Sequence, residues 1–198
     1  MVSAIVLAAG SSSRMGSPKS LLTICGKSFI RHIVDELTAA GVHDVVIVLG
    51  ADAKRVREAL TWFTGRISIN ERWSDGQLSS IVAGMRAAED WNPEGLLLCP
   101  VDHPLISRSV IESLVETFRS SGKRIILPVF KGRRGHPVLF ARKLFRELAA
   151  APPEIGARAL VRAHPDEIVE VQTSEEGIQL NVDTPEDYRT MILKQDKE

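Results

Sequence analysis

The segment Leu7-Ala8-Ala9-Gly10-Ser11-Ser12-Ser13-Arg14-Met15-Gly16-Ser17-Pro18-Lys19 concentrates residues that can handle an anion. Small residues let the backbone approach a ligand closely, and consecutive N–H groups can cradle phosphate oxygens. Arg14 adds a planar fork for bidentate contacts, and Lys19 a compact point charge. Two better-known phosphate loops do not fit. GxxxxGK[ST] fails because Gly10 to Gly16 is too wide and Lys19 does not follow Gly16. GxGxxG fails because three serines follow Gly10. Gly and Ser alone would suit an ordinary flexible turn. The two cations, with Pro18 ahead of Lys19, favour an anion-binding loop.

Other residues have chemistry of their own. Asp102, in Cys99-Pro100-Val101-Asp102-His103-Pro104, follows an apolar run. A carboxylate at a strand end suits Mg²⁺, a hard cation that takes oxygen ligands; a turn-forming Asp is the plainer account. Asp183, in Asn181-Val182-Asp183-Thr184-Pro185-Glu186-Asp187, reads by itself as a solvated neighbour of a helix cap formed by Thr184 and Asp187. Within Asn70–Ile81, Gly76 permits a tight turn, and Ser79 and Ser80 stand at a helix start. There they can cap the helix. Arg134, Gly135 and His136 lie in a Gly-Arg-Arg-Gly-His-Pro stretch, where His136 by itself reads as a structural histidine before a strand.

These residues need a scaffold, and the hydrophobic pattern describes one. Short apolar runs read as strands at Ser3–Ala8, Asp44–Leu49, Arg66–Ile69, Gly95–Cys99 and Arg124–Leu127. Helices are expected around Phe29–Leu37, Ala53–Trp62 and Leu78–Glu89. A further helix through Phe118 would open on a capping box of Ser109 and Glu112. Thr184 and Pro185 open the last helix. This alternation predicts an α/β three-layer sandwich around a mostly parallel, Rossmann-like sheet. In such sheets ligands bind at the carboxyl ends of the strands, where the chain order switches.

The chain has 198 residues, 44% of them hydrophobic, which suits one domain over 1–198 with a sizeable core. Lys plus Arg number 25 and Asp plus Glu number 25, so nucleic acid is not an expected partner. Residues 123–146 hold eight Lys/Arg and no Asp/Glu, while residues 165–198 hold ten Asp/Glu and three Lys/Arg. On charge alone, two differing solvated faces are favoured over a basic wall facing an anionic substrate. Cys25 and Cys99 are too few for a disulfide scaffold, and Cys99 reads as a small core residue. No stretch suggests a membrane span, and a cytoplasmic protein is expected.

The pattern LAAGxSxRMGxPK from Leu7 to Lys19 resembles the signature of the MobA-like nucleotidyltransferases, in particular their molybdenum cofactor cytidylyltransferase branch. The segments around Gly76, Asp102, His136 and Asp183 resemble further motifs of that family, in the same order. The resemblance implies the nucleotide-diphospho-sugar transferase type of fold and transfer of CMP from CTP to molybdopterin or its molybdenum-loaded form, with release of pyrophosphate. It implies that Leu7, Ala8, Ala9, Gly10, Ser11 and Ser13 wrap the triphosphate while Arg14 and Lys19 neutralise it. Gly76, Ser79 and Ser80 would face base or ribose, and Arg134, Gly135 and His136 the acceptor, with Gly156-Ala157-Arg158 nearby. Asp102 and Asp183 would hold Mg²⁺ or Mn²⁺. A target molybdoenzyme or its chaperone is an implied partner. Ala9 after Ala8 resembles the cytidylyl branch; guanylyl transfer, another phosphorylated acceptor, or a non-catalytic nucleotide-binding or cofactor-delivery role are the alternatives, and a dinucleotide-dependent reductase is disfavoured by the failed GxGxxG fingerprint. His103, where the family often has Gln, and Asn181, where it has an acid, depart from the pattern.

Overall fold

The computed structural model describes residues 1–195. In chain order, β1 (Val2–Ala8) leads through a loop to a hairpin of β2 (Thr23–Ile24) and β3 (Lys27–Ser28). Next come α1 (Phe29–Ala39), β4 (Val45–Leu49), α2 (Ala53–Glu58), β5 (Arg66–Ile69), α3 (Gln77–Ala87) and β6 (Gly95–Pro100). Then follow α4 (Arg108–Ser121), β7 (Ile125–Phe130), β8 (Arg133–Arg134), β9 (Val138–Ala141) and α5 (Phe145–Ala149). The order closes with α6 (Arg158–Ala163), β10 (Ile168–Gln172) and α7 (Pro185–Gln195).

The main sheet runs β10-β7-β9-β6-β1-β4-β5, with β8 paired to β7. Pairing is parallel except where β9 meets β6 and β7, and where β8 meets β7. The continuous apolar runs of β1, β4 and β6 reflect cover on both faces. Ala4 and Val6 of β1 share one core with Ile33 and Leu37 of α1 and Leu114 of α4. Ile5 and Leu7 share the other with Leu78 and Ile81 of α3 and Leu160 of α6. The result is the expected helix–sheet–helix sandwich. Cys99 is buried in the first core, and Cys25 is exposed in the β2–β3 turn. Among the described residues no helix is long and apolar enough to cross a membrane.

Two elements differ from expectation. α2 ends at Glu58 rather than Trp62, and single turns (Leu60 N–H to Arg57 O, 3.1 Å; Phe63 N–H to Leu60 O, 2.9 Å) replace its last part. The switch lets Leu60 enter the core while Trp62 lies beneath Arg31. For α4 the cap is Ser107, whose hydroxyl accepts from the Val110 N–H at 3.3 Å. Ser109 instead donates to Glu175, and Glu112 pairs with Arg108 one turn away. The buried stripe Val110, Ile111, Leu114 and Val115 sets where the helix must begin, and Ser107 is the residue that precedes it.

The strand order places the site. From β1 the chain crosses to β4 and β5 on one side, then returns to lay β6 on the other. The loops after β1 and β6 therefore diverge at their carboxyl ends, where such sheets bind ligands.

Candidate active site

The loop after β1 opens a cleft of about 410 Å³. Leu7, Ala8, Ala9, Gly10, Ser11, Ser13, Arg14 and Lys19, all expected here, line it, and Ser12 and Pro18 join them. Ser12 holds the loop in shape. It adopts a left-handed conformation (φ 49°), its carbonyl accepts from Met15 N–H at 2.8 Å, and its hydroxyl accepts from Lys19 N–H at 3.0 Å. The signal for Ser12 was in the pattern itself: it is the fixed serine of LAAGxSxRMGxPK, while Ser11 and Ser13 occupy its variable positions.

Lys19 is the hub. Its ammonium donates to the Asp183 carboxylate and lies 3.8 Å from Asp102 Oδ2. Arg14 reaches the other Asp183 oxygen at 3.2 Å. Asp102 is carried by the chain leaving β6, where Val101 N–H bonds to Leu7 O at 3.1 Å. Asp183 comes from far along the sequence and is delivered by two devices. Val182 N–H donates to Asp102 O at 2.8 Å. The Asp187 carboxylate accepts from the N–H groups of Asp183 (3.0 Å) and Thr184 (2.8 Å), while Thr184 Oγ1 accepts from Asp187 N–H at 3.2 Å. The cap expected of Thr184 and Asp187 is thus present, and it is what aims Asp183. Asn181 donates its amide to Asp183 Oδ2 at 3.2 Å, steadying the carboxylate.

The two carboxylates are tuned apart. The hydrogen bond from Lys19 holds Asp183 below the usual carboxylate range, with Arg14 reinforcing it. Burial pushes Asp102 up, only partly opposed by Lys19. Asp102 is thus a half-buried carboxylate short of countercharge.

Across the cleft, Gly76 takes a positive φ of 98°, a turn that glycine permits, ahead of α3. Ser80 lines the cleft and accepts from Asn70 Nδ2 at 3.0 Å. Ser79 does not line it. Its hydroxyl is turned back to the carbonyls of Arg72 and Gly76, both at 2.8 Å, so its place is in the turn rather than the cleft. Trp73, Ser74, Gln77 and Asp52 also line the cleft. Trp73 is a fixed position of the family motif N-x-x-W-x-x-G-x-x-S-S that this segment resembles, but the resemblance assigned it no role; Ser74, Gln77 and Asp52 carried no signal of their own.

The acceptor candidates divide. His136 packs against His103, ring centroids 4.5 Å apart. Burial holds both imidazoles down to a pKa of about 4, so both are neutral near pH 7, and among the described residues the buried Nδ1 of each has no hydrogen-bond partner. Gly135 donates its N–H to Pro128 O at 2.9 Å. Arg134, by contrast, is spoken for: its Nε donates to Glu170 at 2.7 Å on β10. Arg124 likewise pairs with Glu167 at 2.9 Å. Part of the basic stretch therefore meets the acidic one across the β7–β10 edge, which explains the opposed charge runs without a ligand. Arg158 is exposed and close enough to help depress His136.

Among the described residues no three His, Cys, Asp or Glu side chains converge as a ready-made metal cage. Asp102 and Asp183 nevertheless fit a hard cation. Mg²⁺ and similar ions are commonly held by one or two carboxylates, with substrate phosphates and water completing the shell. Both carboxylates already flank the Lys19 ammonium, and Asp102 lacks a full counter-ion.

Known proteins share this architecture. The chain is 32% identical over 200 residues to a nicotine blue oxidoreductase of Paenarthrobacter nicotinovorans, covering 96% of each chain. It is 31% identical over 197 residues to a probable molybdenum cofactor guanylyltransferase of Bacillus cereus, covering 90% of this chain and 95% of that one. The crystal structure of Rv0371c from Mycobacterium tuberculosis in complex with manganese superposes with a TM-score of 0.81 at 26% identity, covering 97% of this chain and 98% of that one. The pattern of the MobA-like NTP transferase domain matches residues 4–168, a span that includes the β1 loop, the Gly76 turn, Asp102 and the His136 segment. The chain belongs to the MobA-like NTP transferase family.

Proposed function

We propose that the protein transfers a nucleoside monophosphate from a nucleoside triphosphate to a phosphorylated acceptor, releasing pyrophosphate. One observation carries the reading: Arg14 and Lys19 of the β1 loop converge with Asp102 and Asp183 at the mouth of one cleft. An apo site of this kind has its cation ligands and its phosphate ligands holding one another. A metal triphosphate satisfies both sets at once.

In the proposed reaction an acceptor phosphate oxygen attacks the α-phosphorus in line, and the bond to pyrophosphate breaks. Positioning and charge stabilisation dominate such chemistry. Loop N–H groups from Gly10 to Ser13 orient the triphosphate, and Lys19 and Arg14 stabilise the charge that grows on the leaving pyrophosphate. Asp102 and Asp183 would hold Mg²⁺ or Mn²⁺, which when bound polarises the phosphoryl oxygens. Ser80 offers a hydroxyl to the base edge. On the acceptor side His103 and His136 present neutral rings, and Arg158 an exposed positive charge.

The finer reading is CMP transfer from CTP to molybdopterin or its metal-loaded form, supported by Ala9 beside Ala8. The name of the Bacillus cereus relative supports the same chemistry with GTP. A target molybdoenzyme or its chaperone would then receive the product. Pyrophosphate release with CTP, GTP, ATP and UTP, each with Mg²⁺ and with or without molybdopterin, tests this. Release requiring CTP and molybdopterin supports the cytidylyl form; release requiring GTP moves the assignment to guanylyl transfer. Absence of release with every triphosphate overturns the reading.

The similarity to the Paenarthrobacter oxidoreductase favours a second reading, hydride transfer. Against it, the β1 loop runs into a hairpin rather than directly into a helix whose N-terminus could hold a pyrophosphate. Oxidation of NADH or NADPH by an added quinone-type dye would support this second reading.

A further inference from the structure

Three tryptophans occupy contrasting surroundings. The Arg31 guanidinium covers Trp62, 4.3 Å from the ring centroid, and Arg66 covers Trp91 at 4.4 Å. Among the described residues no cation lies over Trp73, which lines the cleft with 36% of its surface exposed. Scattered surface apolar residues need no explanation, but a large, partly exposed aromatic residue lining a phosphate-suited cleft is a different case.

The ring is held at its root. The preceding residue, Arg72, donates its N–H to Asn70 Oδ1 at 3.0 Å and accepts from the Ser79 hydroxyl. Its guanidinium pairs with Asp75 at 2.7 Å. At Gly50, just past β4, an added Cβ would lie 2.5 Å from Ala9 O and 2.6 Å from Trp73 Cβ. The missing side chain lets Trp73 and Ala9 close in on the same point. The indole thus begins beside the end of β1, with the cationic loop on one side and Ser80 in the same cleft. Asn70 donates to the Ser80 oxygen, leaving the hydroxyl hydrogen of Ser80 for another acceptor.

We propose that Trp73 is the stacking platform for the nucleobase, reading the ring plane while Ser80 reads its edge. The proposal rests on the nucleotide reading of the site. Every base has a π-face, so Trp73 adds affinity without choosing among bases, and selection falls to the edge contacts.

The test compares binding of CTP and GTP, each with Mg²⁺, with binding of inorganic tripolyphosphate, which has charge but no base. Trp73→Ala should weaken CTP and GTP about tenfold or more, within the range of base–aromatic stacking, and leave tripolyphosphate within about twofold. Trp73→Phe, which keeps a smaller ring, should retain most of the affinity. Tryptophan fluorescence of the wild type should be quenched by the nucleotides and not by tripolyphosphate, and both variants should lose that response, since Trp62 and Trp91 lie under arginines. Equal weakening of all three ligands, or no weakening, overturns the stacking role. If the wild type binds tripolyphosphate and neither nucleotide, or binds none of the three, the nucleotide reading fails and this assignment fails with it. If nucleotides bind and Trp73→Ala behaves like wild type, only this assignment fails.

Discussion

Asp102 and Asp183 are the same residue type in opposite environments, and they should respond differently to the same change. Asp102 is half-buried and its charge is only partly balanced. Asp102→Asn should therefore abolish pyrophosphate release, a loss of at least about a hundredfold as for other preorganised charge contacts. It should leave the apo melting temperature unchanged or raised, because a half-buried charge has been removed. A melting temperature that falls with activity would make Asp102 a structural residue. Lys19 behaves conversely. Lys19→Ala leaves both carboxylates facing each other, so the apo protein should melt lower, and millimolar Mg²⁺ should restore part of the difference. Thermal melts with and without Mg²⁺ decide this; a metal-independent deficit would mean that the two carboxylates do not share a cation site.

At the scale of elements, the end of β4 and the caps of α4 and α7 can be tested separately. Gly50→Ala places a methyl against the Ala9 carbonyl and Trp73 Cβ. The first of these is backbone and cannot swing aside. The variant should lose nucleotide affinity by displacing the β1 loop and Trp73 together, as calorimetric titration would register. Ser107→Ala should cost about 1 kcal/mol by removing the cap of α4, and Ser109→Ala much less, which denaturant unfolding measures. Equal effects would restore the Ser109–Glu112 capping box that the sequence suggests. That misplacement is instructive: both serines satisfy the local rule, and the buried stripe of α4 decides between them.

For the molecule as a whole, the strands of the main sheet other than β8, whose two arginines are exposed, share two cores with helices from both halves of the chain. We propose that residues 1–198 act as one domain, unfolding in a single calorimetric transition; two separated transitions would contradict it. Acid sensitivity also belongs to this scale. Burial depresses His32, among Glu36, Lys27 and Asp35, and His136, among His103, Asp102 and Arg158. For a histidine held neutral by the fold, the stabilising contribution is complete above the unfolded value near 6.5. For His136 it is lost progressively as pH falls from there to about 4. Asp102, pushed up, opposes the trend at the acid end of that window. Stability should thus decline between pH 7 and 5, and His32→Gln and His136→Gln should each flatten the decline; parallel curves would show that neither histidine titrates with unfolding.

Much of this protein was legible in its residues. The alternation of apolar runs and amphipathic stretches sufficed for the sandwich, because burial on both faces of a sheet leaves a periodic trace in the sequence. The β1 loop was legible because a phosphate cradle needs small residues and cations close together along the chain. Asp102 was legible as a polar residue ending a buried strand. What only the tertiary structure decided involves partners distant in sequence or backbone conformations that residue type does not reveal. Asp183 joins Asp102 through the Val182 hydrogen bond, His103 meets His136, and Arg134 is taken by Glu170. Ser79 and Ser80 are adjacent and identical, yet one hydroxyl closes a turn and the other faces the cleft, since successive residues of a helix point about 100° apart.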